Sequence, residues 1–125
     1  MRPHRNLDAW NKSVDFVVEI YDITKTFPQD EKFGLISQIR RASVSIASNL
    51  AEGAGRRSDR EFLQFLSHSQ GSASEVDTQL LIAFRLKFLS EADYRSLETS
   101  LDNIGRMITG LSNHLKRKTG EMPPI

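Results

Sequence analysis

Apolar residues recur at alternating steps of three and four along nearly the whole chain, in four stretches separated by short breaks. Leu7, Trp10, Val14, Val17, Tyr21 and Thr24 make the first stretch, which Pro28 ends because proline lacks an amide donor and disfavours helix in the residue before it. Ile36, Ile39, Ser43, Ile46 and Leu50 make the second, with Gly53 placed as its C-terminal stop. Phe62, Leu66, Ser69, Ala73, Val76, Leu80 and Ala83 make the third, entered through Ser58 with Glu61 three residues on, the spacing of a capping box. Tyr94, Leu97, Leu101, Ile104, Ile108, Leu111 and Leu115 make the fourth, with Ser90 and Asp93 as its N-terminal cap pair. The spacing predicts helices over residues 7–26, 34–52, 58–89 and 91–116. No stretch alternates with period two long enough to form a sheet.

A mean repeat of about 3.5 residues on every helix is the seam of a helix bundle, and short links make sequence neighbours antiparallel. The expected fold is therefore all-α, an antiparallel up-down-up-down four-helix bundle filling one domain over 1–125, with an ordered core near 6–116 and a loose tail at 117–125.

That topology changes how the charge is read. The net charge is only +1, which by itself announces no polyanionic partner. But up-down-up-down order gathers the N-terminus, the joint between the second and third helices, and the C-terminus at one end. Those are the basic stretches: Arg2, His4 and Arg5; Arg56, Arg57 and Arg60; Lys116, Arg117 and Lys118. Asp30, Glu31, Glu91 and Asp93, diluted by Lys32 and Arg95, fall at the other end. The arginines and lysines of the basic end are the expected nucleic-acid contacts, since a guanidinium fork binds two phosphate oxygens and a helix N-terminus at Ser58 adds free amides. Asp59 opposes an anion there. With no aromatic platform interleaved in these stretches, binding is expected to be phosphate-led, salt-sensitive and weak in sequence preference.

The first helix carries a second apolar stripe, Phe16, Ile20, Ile23 and Phe27, and Val44 lies off the main seam of the second helix. A small bundle hides about one wide face per helix, so these five residues are the expected contact between subunits of a homo-oligomer; a wide core with scattered exposed apolar residues is the bland alternative. Ser37, Gln38, Ser43, Ser45, Ser48 and Asn49 make the second helix unusually polar, and Gly71, Ser72, Ala73 and Ser74 suggest a matching close approach on the third. A glycine inside a helix costs roughly 1 kcal/mol relative to alanine, so packing is expected to require Gly71. Arg40, Arg41, Asn49, Glu52 and Glu75 are the expected members of a structural polar network between helices or subunits, because a buried arginine needs a carboxylate.

Candidate chemistry adds little. The chain has no cysteine and only His4, His68 and His114. No histidine follows a glutamate by three, so the di-metal carboxylate set of four-helix bundles is not spelled. Arg60 to His68 and Arg106 to His114 each enclose seven residues, one more than the arginine–histidine motif of four-helix nucleases allows. No phosphate loop or nucleophile–base order is readable. The expectation is a non-enzymatic protein with no cofactor, no metal and no catalytic residue. The opening MRPHRNLDAW lacks the apolar core of a signal peptide, and no apolar run approaches a membrane span, so a cytoplasmic location without membrane contact is expected.

The string from Phe27 to Glu75, with its Phe-Pro, Gly-Leu, Arg-Arg-Ala, Val-Ser-Ile, Ala-Glu-Gly, Gly-Arg, Glu-Phe and Gly-Ser steps, resembles the bacterial four-helix bundle family named after the 23S rRNA intervening-sequence protein. The resemblance spans about residues 5 to 115 and falls on Arg40, Arg41, Asn49, Glu52, Gly53, Gly55, Arg56, Glu61, Phe62, Gly71, Ser72 and Glu75. It implies a non-enzymatic bundle forming five-fold rings, and a kinship with the basic, nucleic-acid-binding accessory proteins of diversity-generating retroelements. Two partner classes follow: RNA or DNA at the basic end, or a protein partner on an oligomeric scaffold.

Overall fold

The computed structural model describes residues 2–125. Four helices carry the fold: α1 (Asp8–Thr24), α2 (Leu35–Ala54), α3 (Asp59–Arg85) and α4 (Glu91–Lys118). Short 3₁₀ turns at Pro3–Asn6 and Gln29–Glu31 precede α1 and α2, and the described residues contain no strand.

Cross-helix contacts fix the directions. Arg40, early in α2, donates to Thr24 at the end of α1 (2.8 Å). Ser69 of α3 donates to the Ile46 carbonyl of α2 (2.9 Å), and Ser72 meets Ser45 at 2.8 Å. Gln70 of α3 reaches Gly105 and Thr109 of α4, while Phe84 stacks on Tyr94 nearer the other end. Each helix packs on its neighbours in sequence, and α4 closes back on α1. The bundle is antiparallel and up-down-up-down.

The core is one cluster drawn from all four helices, with Ile39, Ile46, Leu50, Leu66, Val76, Leu80, Ile104 and Ile108 essentially solvent-free. The predicted stripes of α2, α3 and α4 supply it, with Phe62, Tyr94 and Leu111 part-buried at its rim. The α1 stripe is different. Ala9, Ser13, Phe16, Ile20 and Thr24 face inward, while Val14 and Tyr21 are exposed. The core face is turned by about one residue from the expected seam. Both stripes have helical spacing; they share Thr24, and the inner one is disguised by its other hydroxyl residue, Ser13. The hydroxyls of Ser13 and Thr24 donate to the carbonyls of Ala9 (2.6 Å) and Ile20 (2.7 Å) and so need no outside partner.

Helix ends follow local chemistry. Ser58 and Ser90 accept from the amides of Glu61 and Asp93, both at 3.1 Å, as capping serines should. α3 stops at Arg85, four residues before the predicted end, in a Schellman turn. There the amides of Phe88 and Lys87 reach the carbonyls of Ala83 (2.9 Å) and Phe84 (3.0 Å), and Lys87 takes φ 65°. The position usually held by glycine is a lysine, so no stop was legible; Phe88 continues the apolar run and instead packs on Phe27 at 5.5 Å. α4 runs through Lys118, two residues beyond the predicted end, and the chain turns back at Gly120 with φ 78°.

The glycine roles are corrected too. α2 passes through Gly53 to Ala54, so Gly53 is not a stop. A Cβ there would lie 2.7 Å from a ring carbon of Phe62 and 2.8 Å from Phe65 Cβ, so Gly53 sets the α2–α3 approach. A Cβ on Gly71 would meet nothing within 4 Å; packing within the chain does not require it.

Candidate nucleic-acid interface

The basic end is assembled by topology. The 3₁₀ turn bearing Arg5 packs against α2. Because the start of α2 lies by the end of α1, this turn meets the far half of α2, beside the Gly55–Ser58 joint. Lys118 at the end of α4 pairs with Asp59 at the start of α3 (3.3 Å), closing the same end from the other side. Arg2, Arg5, Arg56, Arg57, Arg60, Lys116, Arg117 and Lys118 therefore share one end.

Their partners differ. Arg56 pairs with Glu52 (3.3 Å) and Lys118 with Asp59, so two of the eight cations are offset. Both pairs are exposed enough to contribute little and to exchange readily with a phosphate. Arg57 and Arg60 are exposed and make no ion pair among the described residues. Arg117 is half-buried, with its Nε enclosed and without a hydrogen-bond partner. Asp59, the residue that works against an anion at the α3 N-terminus, is occupied by Lys118.

The same end holds aromatic rings, contrary to the expectation that none interleave with the charges. Trp10 is half-buried; the ring of His4 stands edge-on to it with centroids 4.8 Å apart, and the Arg5 guanidinium lies 5.6 Å from its centroid. Arg56, in the joint before α3, lies 4.6 Å from the Phe65 ring of α3, and His68 meets that ring edge-on at 6.0 Å. The signal was in the sequence, since His4 and Arg5 lie within six residues of Trp10. Assigning Trp10 wholly to the seam concealed it.

The expected subunit-contact residues separate. Phe16 (1% exposed), Ile20 (0%) and Phe27 (3%) are buried in the chain's own core, and Ile23 packs against that core. Phe16, Ile20 and Phe27 have no outer face to offer a second copy, which corrects the expectation, while Ile23 is only part-buried. Val44 is exposed, and the open apolar residues of α1 are Val14, Val18 (58% exposed) and Tyr21. Further exposed apolar side chains, Leu81, Ile82 and Leu86, lie late in α3 and in the turn after it.

The expected polar network also does not form as one unit within the chain. Arg40 binds Thr24 and the Tyr21 carbonyl (3.3 Å) and lies 4.5 Å from the Tyr21 ring, with no carboxylate. Asn49 bonds Ser45, and Glu52 pairs with Arg56. Arg41 and Glu75 line an open groove over the Ser45–Ser72 contact, together with Gln79, whose Oε1 is enclosed and unpartnered.

Another enclosed polar atom, Glu98 Oε1, lies between α3 and α4. Burial first, and then the Asp77 carboxyl of α3, push Glu98 up to about 7. Its Oε1 has no hydrogen-bond partner. No three histidine or carboxylate side chains among the described residues are placed to hold a metal ion. No helix among them is long and apolar enough to cross a membrane.

With this geometry in hand, comparison with known proteins gives a lineage. A family model described as the 23S rRNA-intervening sequence protein matches residues 5–110. The chain belongs to that family. The chain is also similar to a solved structure from Bacteroides thetaiotaomicron VPI-5482, described as a protein with unknown function from the S23 ribosomal protein family. The two are 24% identical with a TM-score of 0.78, over 83% of this chain and 97% of the other, a likeness of fold. No curated protein matches. The family thus agrees with the bundle and leaves its activity to be argued from the molecule.

Proposed function

We propose that this intervening-sequence family member is a non-enzymatic, oligomeric bundle that binds nucleic acid through phosphate contacts at its basic end. The observation that carries the reading is the convergence of three separate basic segments on one end, with Arg57 and Arg60 making no ion pair among the described residues beside the first turn of α3. The free amides and positive dipole end of a 27-residue helix favour an anion at that place. The family's association with 23S rRNA intervening sequences makes RNA the natural first ligand to try.

Oligomerisation is supported by Val14, Val18 and Tyr21, which repeat at helical spacing on the outside of α1, with Val44 exposed on α2. The resemblance of the sequence favours a five-fold ring. In a ring with parallel subunit axes each copy adds its basic end to one rim, so a net charge of +1 per chain becomes a concentrated positive surface.

Gel shift with a structured RNA at low salt tests the reading. Changing Arg56, Arg57 and Arg60 together to Ser should abolish most of the shift while light scattering reports an unchanged assembly. Retention of full binding by the triple variant makes the basic end merely solvated, and a parent that gives no shift at low salt favours the other function, an oligomeric scaffold for a protein partner.

A further inference from the structure

The Arg5–Trp10 pair is held unlike the two other arginine–aromatic pairs of the bundle, of which Arg56 on Phe65 is tied to Glu52 (3.3 Å). Arg40 on Tyr21 is held in place by two hydrogen bonds, to Thr24 and to the Tyr21 carbonyl. Arg5 on Trp10 has no such anchor: its guanidinium makes no hydrogen bond or ion pair among the described residues, and the side chain is exposed. What holds the segment is backbone. The Arg5 carbonyl accepts from Asn11 (3.1 Å), and the Leu7 amide reaches His4 (3.0 Å). The turn is fixed while the Arg5 head is free to exchange.

Trp10 packs one part of its indole on the core, so the ring is rigid and its position is set. His4 stands edge-on to it and is itself only half-buried. A flat heterocycle can replace the Arg5 head on the indole, or stack on the guanidinium plane, with no change in the bundle. Either leaves Arg5 able to reach the phosphate of the same nucleotide. Stacking of this kind accepts any base, because every base has a π face. A base inside a duplex is already stacked on both sides and cannot enter.

We propose that Trp10, His4 and Arg5 form a stacking site for an unpaired base, so that the partner of the basic end is a single-stranded nucleic acid. The proposal rests on the reading of that end as a phosphate-binding surface. Arg56, Phe65 and His68 repeat the same combination of cation, ring and histidine on the other side of α2, which gives a strand a second place to rest.

Trp10 is the chain's only tryptophan, so its emission reports this site alone. The full chain is titrated at low salt with a single-stranded oligoribonucleotide of about ten residues, within the usual range of single-strand site sizes. The duplex of the same sequence and inorganic polyphosphate, a polyanion without bases, serve as comparisons. Binding is followed separately by anisotropy of a labelled strand. The expected result is quenching of Trp10 by the single strand, with polyphosphate displacing the strand and restoring the emission. Trp10→Leu should weaken single-strand binding by roughly tenfold and leave the affinity for polyphosphate itself unchanged, and Trp10→Phe should retain most of the affinity. Single-strand binding with no change in Trp10 emission, or a duplex bound as tightly as the strand, overturns the stacking site and leaves the phosphate reading standing. Absence of binding to every polyanion overturns both.

Discussion

Gly53 sets the distance between two helices by what it lacks. Its backbone approaches the Phe62 ring and the Phe65 Cβ so closely that one methyl group would have to displace them. Gly53→Ala should therefore cost about 1–3 kcal/mol by overpacking, despite alanine's better helix propensity. Urea unfolding checks this, and a midpoint at or above that of the parent contradicts it. Gly71→Ala is the control, because nothing lies within 4 Å of its missing Cβ. That Gly53 mattered was legible in the sequence; its task was not. A glycine three residues before an Arg-rich joint reads as a stop, and only the third dimension brings two phenylalanines over it. Lys87 is the converse, a left-handed helix end that no glycine announced.

At the scale of elements, α2, α3 and α4 were readable because each has one dominant apolar stripe, which keeps its spacing across the buried Ser43 and Ser69. α1 was not, because it has two stripes. The one facing the core includes two hydroxyl residues satisfied by their own backbone, and hydrophobicity alone ranks such a face too low. The α3–α4 contact hides a second thing that periodicity cannot report. Glu98 sits on α4 against Asp77 of α3, with its carboxyl raised to about 7 from an ordinary value of 4.5. Between those pH values the folded chain holds a proton that the unfolded chain gives up. The stability from this group is thus full below about pH 4.5 and is lost as pH rises through about 7. The bundle should show a higher urea midpoint at pH 5 than at pH 8, and Glu98→Gln should shrink the difference and raise the midpoint at pH 8. A Glu98→Gln variant with the parent's full pH dependence contradicts this account of the pair.

For the molecule as a whole, link length and helix order were enough to predict that charge is divided along the long axis, and Lys118 on Asp59 ties the basic end together. The outer surface was harder to read, since burial within one chain and burial between chains leave the same apolar periodicity. Phe16, Ile20 and Phe27 belong to the first kind. A carboxylate at Phe16 would unfold the bundle instead of dissociating it. Val18 is the better probe, being exposed and central to the outer stripe of α1. Val18→Asp should leave helicity intact and convert an assembly to monomers, as read by light scattering, because an unpaired carboxylate is not tolerated in an apolar contact. A parent protein that is monomeric at high concentration removes the ring from the account. The most direct test of the central claim is the salt dependence of RNA affinity. Each phosphate contact releases counterions, so log affinity should fall linearly with log salt. Loss of Arg56, Arg57 and Arg60 together should flatten that slope by about two to three, near one unit per lost contact. A parent that binds no RNA at low salt, or a slope unchanged in the triple variant, contradicts a phosphate-binding end.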